Sequence, residues 1–148
     1  MNVEEIIKTS KSIPLHRRTL IHMSLVCNKI DEQMSCALKP FDLSIQQFNV
    51  LRILRGQKGK PANLSTINER MVTKSSNTTR LVDKLLLKDY VKREVCERNR
   101  RKVEISITNK GLDFLDHIDG ILFETEKQVL SSFSAEELSK LNRLLDKF

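Results

Sequence analysis

The sequence predicts a mainly α-helical fold with one small β-hairpin. Apolar residues recur every three or four positions through most of the 148 residues, which is the spacing of helices with one buried side. Two of these helical patterns are separated by only three residues, and they are followed by two short segments in which apolar and polar residues alternate. The length is that of one compact domain with its own core.

The first long helix is predicted between two prolines. Pro14 opens the helical pattern and Pro40 ends it, because proline cannot continue a helix. The apolar stripe consists of Met23, Cys27, Ile30, Met34 and Leu38. Cys27 is therefore expected to be a small core residue, whereas Cys36, nine positions on, lies on the opposite face and is expected to be exposed.

The second helix is predicted to begin at a capping box. In Ser44–Gln47 the serine and the glutamine can each satisfy a free backbone group at a helix start. The helix is expected to run through about Arg55 and to bury Phe48, Leu51 and Leu54. The next segment, GQKGKPA, lacks the Gly-Lys-Ser/Thr ending of a phosphate-binding loop, so we interpret it as a connection.

Two further helices are predicted to form a helix-turn-helix. The first covers Leu64 to Met71 and the second about Ser75 to Lys88, and helices joined by so short a turn cross at a large angle. The second helix buries a leucine-rich side, while its first turns carry short hydrogen-bonding side chains around an arginine. Such groups at a helix N-terminus read base edges in the major groove of DNA. The candidate DNA-binding residues are Lys74, Ser75, Ser76, Asn77, Thr79, Arg80 and Lys84.

A hairpin with a basic tip is predicted next. Tyr90–Val95 and Val103–Ile107 alternate as strands do, and burial of the apolar residues of the second strand would fix the register of the hairpin. A basic hairpin directly after a helix-turn-helix is a wing, which reaches the neighbouring DNA backbone and minor groove. The candidate wing contacts are Arg98, Asn99, Arg100, Arg101 and Lys102.

Charge is concentrated in the same part of the chain. Residues 52–102 contain fifteen Lys and Arg but only five Asp and Glu, whereas residues 103–148 contain five basic and nine acidic residues. A basic surplus confined to the middle third favours a polyanionic partner, and double-stranded DNA is the leading candidate.

The terminal regions carry more helical apolar surface than the middle needs for its own core. A helix is predicted from Thr108 through about Phe133, and a second capping box, Ser134–Glu137, begins the last helix, with Leu138, Leu141, Leu145 and Phe148. This surplus is best buried by a second copy of the chain, which would set two recognition helices about 34 Å apart. We therefore expect a helical dimerisation region, residues 1–40 plus 109–148, and a winged helix-turn-helix DNA-binding region, residues 41–108.

Other classes of protein are disfavoured. The histidines His16, His22 and His117 form no metal-binding pattern, and no nucleotide-binding or nucleophile motif is present, so no enzyme, metal or cofactor is predicted. RNA readers need exposed aromatic residues for stacking, and this chain has one Tyr and no Trp. Three cysteines without a CxxC pair, no signal peptide and no long apolar run predict a reduced, cytoplasmic protein outside the membrane.

Three segments resemble the MarR family of winged-helix transcriptional regulators: LSIQQFNVLRIL, SSNTTRLVDKLLLKDYVKRE and NRRKVEISITNKG. The resemblance implies a homodimer that binds a pseudo-palindromic operator, with Arg101 in the minor groove, and that represses transcription. Asn99 stands where the family usually has an aspartate, and an asparagine can accept a hydrogen bond from arginine but cannot form an ion pair. The resemblance also implies release by a small phenolic or lipophilic effector, for which His22, Met23 and Phe48 are pocket candidates by family position.

Two alternatives share this fold. A redox-sensing regulator would need a reactive thiol; Cys96, where the wing begins, lies near arginines that favour a thiolate and beside Glu97, which opposes it. A winged helix used for protein contacts would lack specific DNA readout, but it would not require so many basic residues in the middle third.

Overall fold

The computed structural model describes residues 1–72, 77–95 and 103–148. Within those ranges the chain forms seven α-helices and one antiparallel hairpin, so the predicted fold class is confirmed. The elements are α1 (Val3–Ile6), α2 (Leu15–Leu38), α3 (Ile45–Arg55), α4 (Leu64–Arg70), α5 (Thr78–Leu87), β1 (Val91–Val95), β2 (Val103–Ile107), α6 (Asn109–Val129) and α7 (Ala135–Leu145). Among the helices so described, none combines the length and the apolar character that crossing a membrane requires.

Helix α2 begins after Pro14 and ends before Pro40, as predicted, and a 3₁₀ turn, Lys39–Phe41, follows it. Only the C-terminal part of its apolar stripe, Met34 and Leu38, is buried. The expectation that Cys27 is a core residue is wrong for the single chain: its side chain is exposed, because the core of one chain reaches only the second half of α2. Cys36 is exposed, as expected.

The core forms around α3. Both bonds of the predicted capping box are present, since the Gln47 N–H donates to the Ser44 hydroxyl at 3.2 Å and the Ser44 N–H donates to the Gln47 side chain at 2.8 Å. Phe48, Leu51 and Leu54 are buried as predicted and pack with residues of α2, α4, α5, the hairpin and α6. Residues 56–59 of the GQKGKPA segment form a turn that connects α3 to α4, as predicted, and the last residue of the segment, Ala62, lies in a β-bridge.

Helices α4 and α5 are the two helices of the predicted helix-turn-helix. Helix α5 begins later than expected, at Thr78 rather than about Ser75, because Asn77 has a non-helical backbone, with φ −123° and ψ 29°. Val82 and Leu85 are fully buried, which confirms the inward side of this helix.

The hairpin has the register that its alternating pattern predicts. Val91 pairs with Ile107 and Val95 pairs with Val103. Ile105 is fully buried, while Val103 and Ile107 are half-buried. Ile105 also pairs on its other side with Ala62, and each residue donates its N–H to the carbonyl of the other, at 2.8 and 2.9 Å. The second strand of the hairpin is thereby hydrogen-bonded on both sides.

The C-terminal helices differ from expectation in one boundary. Helix α6 ends at Val129 rather than about Phe133, because the chain turns at two serines, Ser131 and Ser132, which are weak helix formers. The second capping box is present at Ser134, and α7 follows it. Helix α6 contributes Leu115, Ile118 and Leu122 to the core, whereas α7 buries no residue within one chain.

Candidate nucleic-acid interface

The outward face of α5 carries the candidate base-reading side chains. Thr79, Arg80 and Lys84 are exposed, opposite the buried Val82 and Leu85. A long cationic side chain with a threonine on the open face of such a helix can contact both base edges and phosphates. Asn77, the N-cap residue of α5, is also exposed.

One contact that the sequence did not reveal joins the two helices of the motif. Thr78 is buried, and its hydroxyl donates to the Asn68 side-chain carbonyl of α4 at 3.1 Å. This bond fixes the start of α5 against α4, directly beside the exposed Thr79 and Arg80. The only sequence indication was that Thr78 stands four positions before the buried Val82, on the same side of the helix.

Several candidate contacts lie outside the described residues. They are Lys74, Ser75 and Ser76 before α5, and Arg98, Asn99, Arg100, Arg101 and Lys102 between the strands, together with Cys96. The hairpin nonetheless fixes both ends of the basic segment, because Val95 and Val103 are paired across the sheet. The two residues that flank the segment are therefore neighbours across the hairpin.

Acidic side chains connect α5 to the elements around it. Arg93 of β1 lies 2.7 Å from Asp83 of α5, measured from Nη2 to Oδ1. Lys88, just after α5, lies 2.8 Å from the Asp42 carboxylate in the turn after α2. The hydrogen bond from Lys88 lowers the pKa of Asp42, so this contact stabilises the fold above the unfolded-state pKa and is lost as the pH falls through the lowered value.

The hairpin passes into α6 through a tight junction. The Thr108 hydroxyl donates to the Asp89 carbonyl at 2.7 Å and caps α6 by accepting from the Gly111 N–H at 3.0 Å. A side chain at Gly111 would place its Cβ 2.3 Å from the Tyr90 carbonyl oxygen. The Tyr90 ring stacks on Phe114 of α6 with centroids 4.4 Å apart. These contacts couple the end of α5 to the start of α6.

A groove of about 420 Å³ lies between α3 and α6. Its lining residues are Phe48, Arg52, Arg55, Asp119, Gly120, Leu122, Phe123 and Glu126. Of the three candidate pocket residues only Phe48 lines it, while His22 and Met23 are half-buried on α2. Arg55 lies 2.6 Å from the Asp119 carboxylate, and the Arg52 guanidinium lies over the Phe48 ring, 5.7 Å from its centroid.

The sequence matches known regulators. Residues 43–103 match the model of the MarR family. Over 130 residues the chain is 32% identical to the HTH-type transcriptional regulator PecS of Dickeya dadantii, and the match covers 86% of this chain and 75% of PecS. The chain belongs to the MarR family. The resemblance in its helix-turn-helix and wing segments is thereby confirmed, and its relatives are transcriptional regulators.

Solved structures of MarR-family proteins have the same fold. A MarR-like transcription regulator from Bacillus cereus superposes with a TM-score of 0.81 at 25% identity, covering 89% of this chain and 94% of that one. A cysteine variant of MarR from E. coli complexed with operator DNA superposes with a TM-score of 0.76 at 25% identity, covering 99% and 98%. The chain is thus a DNA-binding transcriptional regulator of the MarR family with the winged helix-turn-helix fold.

Proposed function

We propose that the chain is a homodimeric repressor that binds a pseudo-palindromic operator and releases it when a small phenolic or lipophilic effector binds. The observation that carries the proposal is the exposed Thr79, Arg80 and Lys84 face of α5, beside a hairpin whose ends hold a basic segment. The operator complex of the E. coli relative, which has the same fold, supports DNA of this kind as the partner.

In this proposal α5 and the wing contact different parts of the DNA. The side chains of α5 and of the residues just before it read the major groove, from Lys74, Ser75, Ser76 and Asn77 through Thr79, Arg80 and Lys84. The wing residues Arg98, Asn99, Arg100, Arg101 and Lys102 hold the flanking backbone and the minor groove. Contacts to phosphate set position and affinity, and contacts to base edges set sequence preference.

The exposed apolar surface of the terminal helices supports a homodimer. Large apolar side chains that are at least a third exposed in the single chain occur along α2, α6 and α7; they include Leu15, Leu20, Val26, Ile30, Ile121, Phe123, Leu141, Leu144 and Leu145. Exposed apolar side chains in this number on the terminal helices favour a protein–protein interface. A second copy would bury the same surface on both partners and would hold two α5 helices at a fixed spacing.

The groove between α3 and α6 supports the proposed effector site. It joins the DNA-binding region, residues 41–108, to the dimerisation region, residues 1–40 plus 109–148, and has the volume of a small-molecule site. The exposed Phe123 supplies aromatic surface for a phenolic or lipophilic compound, and the buried Phe48 lies in the wall behind it. A ligand in the groove would contact α6. Phe114 of α6 stacks on Tyr90, which lies just after α5, so α6 is in contact with the end of the proposed recognition helix.

The substitution Leu144→Asp is expected to convert the dimer to a monomer. Leu144 is half exposed in the single chain, and a carboxylate buried there in the proposed apolar interface would have no partner to offset its desolvation. Light scattering after size-exclusion chromatography should give a mass near 17.1 kDa for the variant and twice that for the unmodified chain. Leu87→Asp is the matched control, because Leu87 is 86% exposed but lies on α5. Loss of the dimer by both variants, or by neither, would contradict the assigned interface.

Binding to mixed duplex DNA across a salt series tests the whole proposal. Because Lys and Arg that contact phosphates release counterions, log affinity should fall steeply and linearly as log salt rises. Such a response from a dimer would justify selection of an operator from random duplexes. A flat response, or no binding, would refute the DNA-binding role and bring forward a winged helix used for protein contacts.

A further inference from the structure

An acidic residue lies on the face of α5 that is proposed to meet DNA. Asp83 stands three positions after Arg80 and four after Thr79, so the three side chains share one side of the helix. A carboxylate on that side repels the phosphates of a bound duplex and, taken alone, weakens binding. We therefore expect Asp83 to make a contact within the protein that favours binding enough to offset this repulsion.

The carboxylate of Asp83 holds an arginine of the wing. Arg93 Nη2 lies 2.7 Å from Asp83 Oδ1, which is within the range of a charge-assisted hydrogen bond. About a third of the Arg93 side chain and about half of the Asp83 side chain remain exposed. Half-exposed ion pairs add little to folding stability. We therefore expect this pair to affect the orientation of the hairpin more than the free energy of unfolding.

Both ends of the ion pair are attached to rigid backbone. Arg93 is the middle residue of β1 and pairs with Ile105, which is fully buried and hydrogen-bonded on its other side to Ala62. Asp83 follows Val82, which is fully buried in the core beneath α5. A contact between two such fixed points holds the hairpin at one angle to the helix.

We propose that the Asp83–Arg93 ion pair sets the angle between the recognition helix and the wing, and so determines how well the chain distinguishes its operator from other DNA. The inference rests on the proposed DNA-binding function. A helix in the major groove and a wing on the adjacent backbone can contact the same site together only if their relative orientation suits it. Asp83 and Arg93 act as positioning residues in this proposal.

The substitution Asp83→Asn separates this role from simple charge. It keeps the shape of the side chain but removes the charge that holds Arg93. A purely electrostatic role predicts tighter binding to every duplex, whereas the positioning role predicts weaker binding to the operator, by about five- to tenfold, with binding to unrelated duplex unchanged or tighter. The quantity measured is the ratio of the two affinities, by fluorescence anisotropy with the full-length dimer.

Glu104→Gln is the matched control. Glu104 lies on β2 opposite Glu94, on the other face of the same hairpin from Arg93, and the described part of the chain offers it no ion-pair partner. Its neutralisation should tighten binding to operator and unrelated DNA by the same factor. If Asp83→Asn behaves in the same way, the positioning role is refuted while the DNA-binding function stands.

A charge-reversed pair gives a second readout. Arg93→Asp alone should lower the operator preference, and adding Asp83→Arg should restore at least half of the loss, because the pair is re-formed with its charges exchanged. A purely structural effect would instead lower the thermal midpoint and weaken binding to both kinds of DNA together, which would overturn the proposal. If the unmodified dimer itself binds no DNA, the proposed function fails and this inference fails with it.

Discussion

Replacing Gly111 by alanine is expected to destabilise the protein by about 2–3 kcal/mol, the effect of forcing an extra group into a closed, well-packed site. The added Cβ would lie 2.3 Å from the Tyr90 carbonyl oxygen and 2.8 Å from a side-chain carbon of Ile107. The Tyr90 carbonyl cannot retreat easily, because it is backbone and also accepts the Thr108 N–H at 3.0 Å. Chemical denaturation followed by circular dichroism measures the loss.

Gly120→Ala provides the comparison within the same helix. A Cβ there would meet nothing within 4 Å, so the variant should be as stable as the unmodified protein or more stable by up to about 1 kcal/mol, the helix-propensity difference between the two residues. Equal stability of the Gly111→Ala variant and the unmodified protein would show that the junction between the hairpin and α6 tolerates a side chain, contrary to the geometry.

Replacing Arg80 by alanine is expected to weaken operator binding by about 1–3 kcal/mol, the usual cost of removing an arginine that contacts bases or phosphates. Arg80 is exposed on the first turn of α5, on the side away from the core, so its removal should leave folding unchanged. Anisotropy titrations at several salt concentrations measure both the affinity and its salt dependence. A loss confined to the operator would assign Arg80 to base edges, and an equal loss on all duplexes would assign it to phosphate.

Arg143→Ala is the control for the loss of one positive charge. Arg143 is also an exposed helical arginine, but it lies on α7, in the proposed dimerisation region. Operator affinity should be unchanged in that variant at the protein concentrations where the dimer persists. If the two variants lose affinity equally, net charge rather than position explains the effect, and α5 is not the recognition helix.

Much of the fold follows from local sequence patterns. The capping boxes at Ser44 and Ser134 form as predicted, because each depends on residues three positions apart. The hairpin register also follows from its pattern, since a shift by one residue would turn Ile105 from the core to solvent. Where local preferences are weaker, the predicted helix ends were wrong: α5 begins later than predicted and α6 ends earlier.

Contacts between distant parts of the chain were not predicted. The ion pair of Lys88 with Asp42 spans 46 residues, and that of Arg55 with Asp119 spans 64. Charged residues of this kind look like ordinary surface residues in the sequence, and only the packing of helices brings them together. Cys27 was misplaced for a related reason, since periodicity identifies an apolar stripe but not whether the same chain covers it.

The double hydrogen bonding of the second hairpin strand makes the wing loop modular. Ile105 exchanges both of its backbone hydrogen bonds with Ala62 on one side, while its neighbours Glu104 and Ser106 pair with β1 on the other, and Val95 pairs with Val103. Both strands are therefore held by their mutual pairing and by Ala62. A segment of different length or charge between Val95 and Val103 would leave this strand pairing in place. Substitutions there could therefore change DNA preference, by divergence or by engineering, on an unchanged scaffold.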